Sequence, residues 1–113
     1  MKLSRIVESL GLQPRGDAAG ADPEIARGYV SDMLSDVLAN GQEQDVWITL
    51  QVHPNIVAVA AMKGVGAIVL INGREPAEET VAKAAEERIP LLVSELPAFE
   101  LAGRLYAMGV PGQ

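Results

Sequence analysis

The chain has 113 residues, of which 49% are hydrophobic and 21% charged, and a formal net charge of −6. That length fits one domain with one core, and the acidic balance, with one Phe, two Tyr and one Trp for stacking, argues against nucleic acid as a partner. The absence of cysteine removes disulfides, thiolate nucleophiles and cysteine-ligated zinc or iron–sulfur groups together.

Residues 2 to 10 place Leu3, Ile6, Val7 and Leu10 on one helical face, with Gly11 positioned to end the helix. Leu12 to Arg15 reads as a short edge strand, because Pro14 lacks the N–H that a central strand needs. The Gly-, Ala- and Asp-rich stretch from 16 to 23 reads as a mobile loop. Ile25 to Val30 follows as a strand. Ser31 then caps a helix whose buried stripe is expected to be Met33, Leu34, Val37 and Leu38, ending at Asn40-Gly41.

From Asp45 to Ser94 the pattern is strand, helix, strand, helix, strand. The strands Asp45 to Leu50, Ala67 to Ile71 and Ile89 to Val93 are near-continuous apolar runs, the mark of strands buried on both faces in a parallel sheet. Pro54 suits the first turn of a helix running to about Lys63, where a missing N–H costs nothing. A helix over about 77–88 turns Val81, Ala84 and Ala85 inward, and one over about 97–108 is expected to turn Phe99, Ala102, Leu105 and Tyr106 inward. Three segments follow: 1–24 as helix, edge strand and loop, 25–108 as the α/β domain, and 109–113 as a tail.

The helix from 54 to 63 is apolar on every side, and such a helix must be covered on every side. Its expected cover is a second copy of the chain, in a homodimer through Ile56, Val57, Ala60 and Ala61, with shielding by the amino-terminal helix as the plainer alternative. The run Ile56 to Met62 is far shorter than the roughly 18 residues of a membrane span. The first residues, Met1 to Ile6, lack the apolar core of an export signal, so the expected setting is cytoplasmic, without a membrane.

Ligands of parallel sheets bind outside the carboxyl ends of the strands. There the chain offers Gln51, His53 and Asn55 after one strand and Asn72, Gly73 and Arg74 after the next. His53 is the single histidine and can meet an anion or move a proton near neutral pH; a polar turn residue is the plainer alternative. Asn72-Gly73 favours positive φ, so this turn is expected to offer backbone N–H groups and the Arg74 guanidinium to a phosphate or carboxylate. Asp32 and Asp36, four residues apart, could serve as a paired acid and base or a divalent-cation perch, and read more plainly as a solvated face at a helix start. Lys63-Gly64-Val65-Gly66 precedes a strand and lacks the order of a phosphate-binding loop. No spacing suggests a metal, and no cofactor is expected.

Gly28 to Asp32, Asp45 to Thr49, His53 to Ile56, Ile71 to Gly73 and Glu95 to Glu100 together resemble the DRTGG domain over about residues 25 to 108. The likeness is nearest to small stand-alone members found beside iron-only hydrogenase genes. The family's Asp-Arg and Thr-Gly-Gly positions hold His53-Pro54 and Ile71-Asn72-Gly73 here, keeping Gly73 alone. The resemblance implies a single α/β domain, mainly parallel sheet flanked by helices, similar to the amino-terminal domain of HPr kinase/phosphorylase and commonly dimeric. It also implies a regulatory, non-catalytic part that senses a small anionic metabolite or nucleotide, or else a docking subunit for a hydrogenase-related protein.

Overall fold

The computed structural model describes residues 1–17 and 20–113. In chain order the elements are α1 (Leu3–Leu10), β1 (Gln13–Pro14), β2 (Arg27–Val30), α2 (Leu34–Asn40), β3 (Asp45–Thr49), α3 (Asn55–Lys63), β4 (Ala67–Leu70), α4 (Glu78–Glu87), β5 (Leu91–Val93) and α5 (Ala98–Met108). The expected loop over 16–23 includes residues 18 and 19, which lie outside the described residues.

The sheet has the order β1-β5-β4-β3-β2. From β2 to β5 every pairing is parallel and between chain neighbours, while the two-residue β1 closes one edge antiparallel to β5. Pro14 sits on that outer edge, where no ladder hydrogen bond is demanded of it.

Side chains alternate between two cores, as the two-residue period of a strand requires. Val46, Ile48, Ala67, Val69 and Leu92 face a core shared with Leu3 and Ile6 of α1 and Leu101 and Leu105 of α5. Trp47, Ile68, Leu70, Leu91 and Val93 face the opposite core, shared with Val37 of α2, Ile56, Val57, Val59 and Ala60 of α3 and Ala84 of α4. The molecule is thus a three-layer α/β/α sandwich. Ile25 and Val110 also enter the first core, so chain at both ends of the 25–108 segment contributes to it.

Arg27 makes two 2.7 Å bonds to the carboxylate of Asp45, which also accepts from the Gln42 amide at 2.8 Å. The buried carboxylate is fully engaged and fixes the start of β3 against β2. Asp45 in turn holds the Arg27 guanidinium above its usual range.

Three expectations need correction. Ile56, Val57 and Ala60 are inaccessible, buried by the chain's own sheet and by α2 and α4, so they cannot form a dimer face; Ala61 alone of that set is exposed. The cover of α3 comes from its own neighbours, since α2, α3 and α4 all follow successive strands and lie on one side. The second concerns α2, which begins at Leu34 instead of near Ser31 and buries Val37, leaving Met33 and Leu38 exposed. The third concerns α5, whose inward residues are Leu101 and Leu105. Phe99 is two positions from Leu101, about 200° around the helix, so it points away. Phe99 is 91% exposed and Tyr106 71%.

Candidate functional site

The four parallel strands end in register, Val30 beside Ile48, Thr49 beside Leu70, and Leu70 beside Val93. The turns that follow them therefore leave from one rim, and they are bonded to each other. After β2, Asp32 accepts from the Thr49 hydroxyl at 2.9 Å and the Leu50 amide at 2.7 Å, and its carbonyl accepts from the Gln51 side chain at 3.0 Å. After β3, the Val52 carbonyl accepts from the Ala77 amide at 3.1 Å and the Thr80 hydroxyl at 2.6 Å. After β4, Asn72 donates its amide to Leu96 at 3.0 Å and Gly73 to Ser94 at 2.8 Å. The rim is a braced surface with few loose turns.

Asn72 and Gly73 have φ of 56° and 65°, and the Arg74 amide closes the turn onto the Ile71 carbonyl at 3.1 Å. Two consecutive positive φ values make this a type I′ turn, the geometry an Asn-Gly pair favours. All three backbone N–H groups, those of Asn72, Gly73 and Arg74, are consumed inside the protein. The expected backbone cradle for an anion is therefore absent here, and Arg74 contributes its guanidinium alone.

His53, Asn55, Asn72 and Arg74 are exposed, and Gln51 and Gly73 half-buried. Gln51 is occupied in bracing Asp32. Among the described residues, the side chains of His53, Asn55, Asn72 and Arg74 make no intramolecular hydrogen bond or ion pair, so they are free to meet a solute. Asn55 opens α3 and His53 stands just before it. The chains after β4 and β5 then part, one to α4 and the other to α5 on the opposite face. Such a divergence between neighbouring strands is where ligand crevices form in parallel sheets.

Several residues take roles at the rim that the sequence did not assign to them. Asp32 and Thr49 hold two turns together, although Asp32 reads locally as part of a helix start. Thr80, inside α4, reaches back to Val52. Glu95 covers Gly73 so closely that a Cβ on the glycine would lie 2.6 Å from its Oε2. Next to Arg74, Glu75 forms two 2.7 Å bonds with Arg15, which hold its carboxyl below the usual range. Glu75 is thus already paired, and the Arg74 guanidinium forms no ion pair within 4.0 Å among the described residues.

A concavity of about 410 Å³ lies elsewhere, between α1, β1 and the chain near Asp22. Its Ser4, Asp22 and Arg15 side chains are engaged, Ser4 donating twice to Asp22 and Arg15 being held by Glu75, and its Glu8 is an acid that does not suit an anion. The unpartnered polar groups at the rim make the rim the stronger candidate. Among the described residues no helix is long and apolar enough to cross a membrane.

No family model matches this sequence, and no curated protein matches it. The fold does match a crystal structure, that of the CBS and DRTGG domains of the regulatory region of Clostridium perfringens pyrophosphatase, complexed with the activator diadenosine tetraphosphate. The TM-score is 0.75 at 18% identity, over 96% of this chain and 47% of that one. The fold is DRTGG-like. This chain spans about half the length of that regulatory region, and the likeness at this identity is one of architecture.

Proposed function

We propose that this chain is a non-catalytic regulatory module that senses a small anionic metabolite or nucleotide at the carboxyl edge of its sheet. The observation that carries the reading is the set of unpartnered side chains, His53, Asn55, Asn72 and Arg74, on a rim whose turns are otherwise bonded to one another. Arg74 supplies a positive charge and His53 a ring N–H donor. Gly73 is covered by the Glu95 carboxylate and shapes the turn without meeting the ligand, and Gln51 braces the rim through Asp32. Braced turns with free polar tips suit binding that shifts a population of states, since little ordering is left for the ligand to impose.

The fold shared with a region that binds a nucleotide activator supports the same reading. Adenine nucleotides, diadenosine tetraphosphate and acyl phosphates are accordingly the first probes. A ligand present at about 100 times its dissociation constant adds about 2.7 kcal/mol of stability, which a thermal melt resolves. Loss of that shift in Arg74→Ala and its weakening in His53→Ala support the assignment.

A second reading, docking to a hydrogenase-related protein with no small ligand, is favoured by the exposed aromatics of α5. It loses that surface if a second copy of the chain occupies it. Co-purification with such a partner, with no ligand-induced change in melting, separates the two readings.

A further inference from the structure

The Arg15 side chain reaches from the end of β1 to the chain just beyond the Asn72-Gly73 turn. It makes two 2.7 Å bonds to the Glu75 carboxylate and two more, at 3.2 Å each, to the Pro14 carbonyl and the Gln13 side chain. The Arg15 amide is bonded to the Leu91 carbonyl at 2.8 Å, so the guanidinium is fixed to the sheet edge through β5. Fork-to-fork pairing of this kind sets direction as well as distance. Glu75, and more weakly Glu95, raise the affinity of Arg15 for its proton. Glu75 is also the residue next to Arg74, and Pro76 after it confines its backbone to extended geometry. Consecutive Cα atoms lie only about 3.8 Å apart. A carboxylate at 75 that is not held elsewhere is therefore within reach of the guanidinium at 74.

We propose that Arg15 is a positioning residue for the rim: it holds Glu75 on the edge strand and off Arg74, so that the cationic tip is open to an anion only while the β1 contact is made. The proposal rests on the reading of Arg74 as the anion contact and adds how that contact is controlled. Between the two arginines the choice of partner is decided by preorganisation. Arg15 is anchored by the Gln13 and Pro14 oxygens before it meets the acid, whereas Arg74 has no bond of its own among the described residues. Once Arg15 is withdrawn, Arg74 is the guanidinium that remains beside Glu75, and the pair they form cancels the charge a ligand would use. The holding contact sits on the shortest pairing in the sheet, two residues of β1 against β5. Docking of the amino-terminal segment is thereby coupled to the charge that the rim presents, although that segment supplies no residue to the rim site.

The test has two arms on the full chain, and the first needs no ligand. The Glu75 carboxyl is titrated by carbon-13 NMR in the wild type, Arg15→Ala, Arg74→Ala and the variant carrying both changes; Arg15→Gln replaces Arg15→Ala if thermal melts show that β1 is disturbed. Glu75 is expected to titrate below the usual carboxylate range in the first three and to return to it only in the fourth, because either guanidinium alone holds it down. A Glu75 at its ordinary value in Arg15→Ala, or one still low when both arginines are gone, overturns the proposal. The second arm is calorimetric titration of ATP and diadenosine tetraphosphate at about 50 millimolar salt, where exposed charges are least screened. Arg15→Ala is expected to weaken binding about three- to fivefold, the range an exposed competing pair allows. Adding Glu75→Gln is expected to restore it to within about 1.5-fold of the wild type, a rescue that a merely structural role of Arg15 would not permit. Arg104→Ala removes one positive charge on α5 instead and is expected to leave binding unchanged. Weakening without rescue, or equal weakening in Arg104→Ala, overturns the proposal. A wild type that binds neither nucleotide counts against the rim as a nucleotide site, and the NMR titration then decides the role of Arg15 by itself.

Discussion

Asp32 and Thr49 meet across the ends of two neighbouring strands, the hydroxyl donating to Oδ1 at 2.9 Å while the Leu50 amide donates to the same oxygen at 2.7 Å. One carboxylate thus joins the β2 and β3 exits. Asp32→Ala removes both bonds and is expected to lower stability by about 1 to 2 kcal/mol, read as a shift in the urea midpoint at unchanged slope. Asp32→Asn keeps an acceptor and is expected to lose about half as much.

Gly73 is required for two separable reasons. Its φ of 65° disfavours a side chain, and a Cβ would meet the Glu95 carboxylate at 2.6 Å. Gly73→Ala is expected to cost about 1 to 2 kcal/mol in a chemical denaturation. Adding Glu95→Ala removes the collision and leaves the conformational cost of about 1 kcal/mol. Full recovery in the double variant would show that φ is not limiting.

The cover of α3 predicts a sharp contrast between adjacent alanines. Ala60 is inaccessible, so Ala60→Glu places a charge in the core and is expected to cost more than about 3 kcal/mol, or to prevent folding. Ala61 is exposed, and Ala61→Glu is expected to stay within about 0.5 kcal/mol of the parent. Thermal melts of the two proteins side by side are sufficient.

Much of this was legible in the residues, and the limits have physical causes. Strands buried on both faces read as apolar runs, which is why β3, β4 and β5 stand out. The Asn72-Gly73 turn is legible because two consecutive positive φ values suit few other pairs. The composition of α3 declares that it is covered on every side but not by what; the answer depends on α2 and α4 lying on the same face, which is topology. Phe99 and Leu101 are both apolar on an amphipathic stretch, and only the path of α5 across the sheet decides which turns inward. Asp32 was hidden because its partner Thr49 is 17 residues away. Likewise, the spent N–H groups of Asn72 and Gly73 depend on carbonyls of Leu96 and Ser94, which the turn sequence does not contain.

Acid should weaken the fold. Tyr29 and Asn40 donate to Asp36, Ser4 donates to Asp22 and Arg15 pairs with Glu75, and each carboxyl is held below its usual range. The folded state therefore binds fewer protons than the unfolded chain, so stability rises with pH across the carboxylate range. The contribution is complete above about pH 5 and is lost as pH falls through the depressed folded values. Urea midpoints taken stepwise from about pH 6 down to about pH 3 should decline steadily. A flat profile would mean that these bonds are equally satisfied by water.

The central claim is that the free cationic tip at the rim receives an anionic ligand, and calorimetric titration of adenine nucleotides and diadenosine tetraphosphate into the wild type and Arg74→Ala tests it most directly. The account predicts saturable binding by at least one of them, weakened at least about tenfold by Arg74→Ala, as loss of a charge-assisted bond implies. Heat only of dilution for every ligand, or binding that Arg74→Ala leaves unchanged, would contradict it.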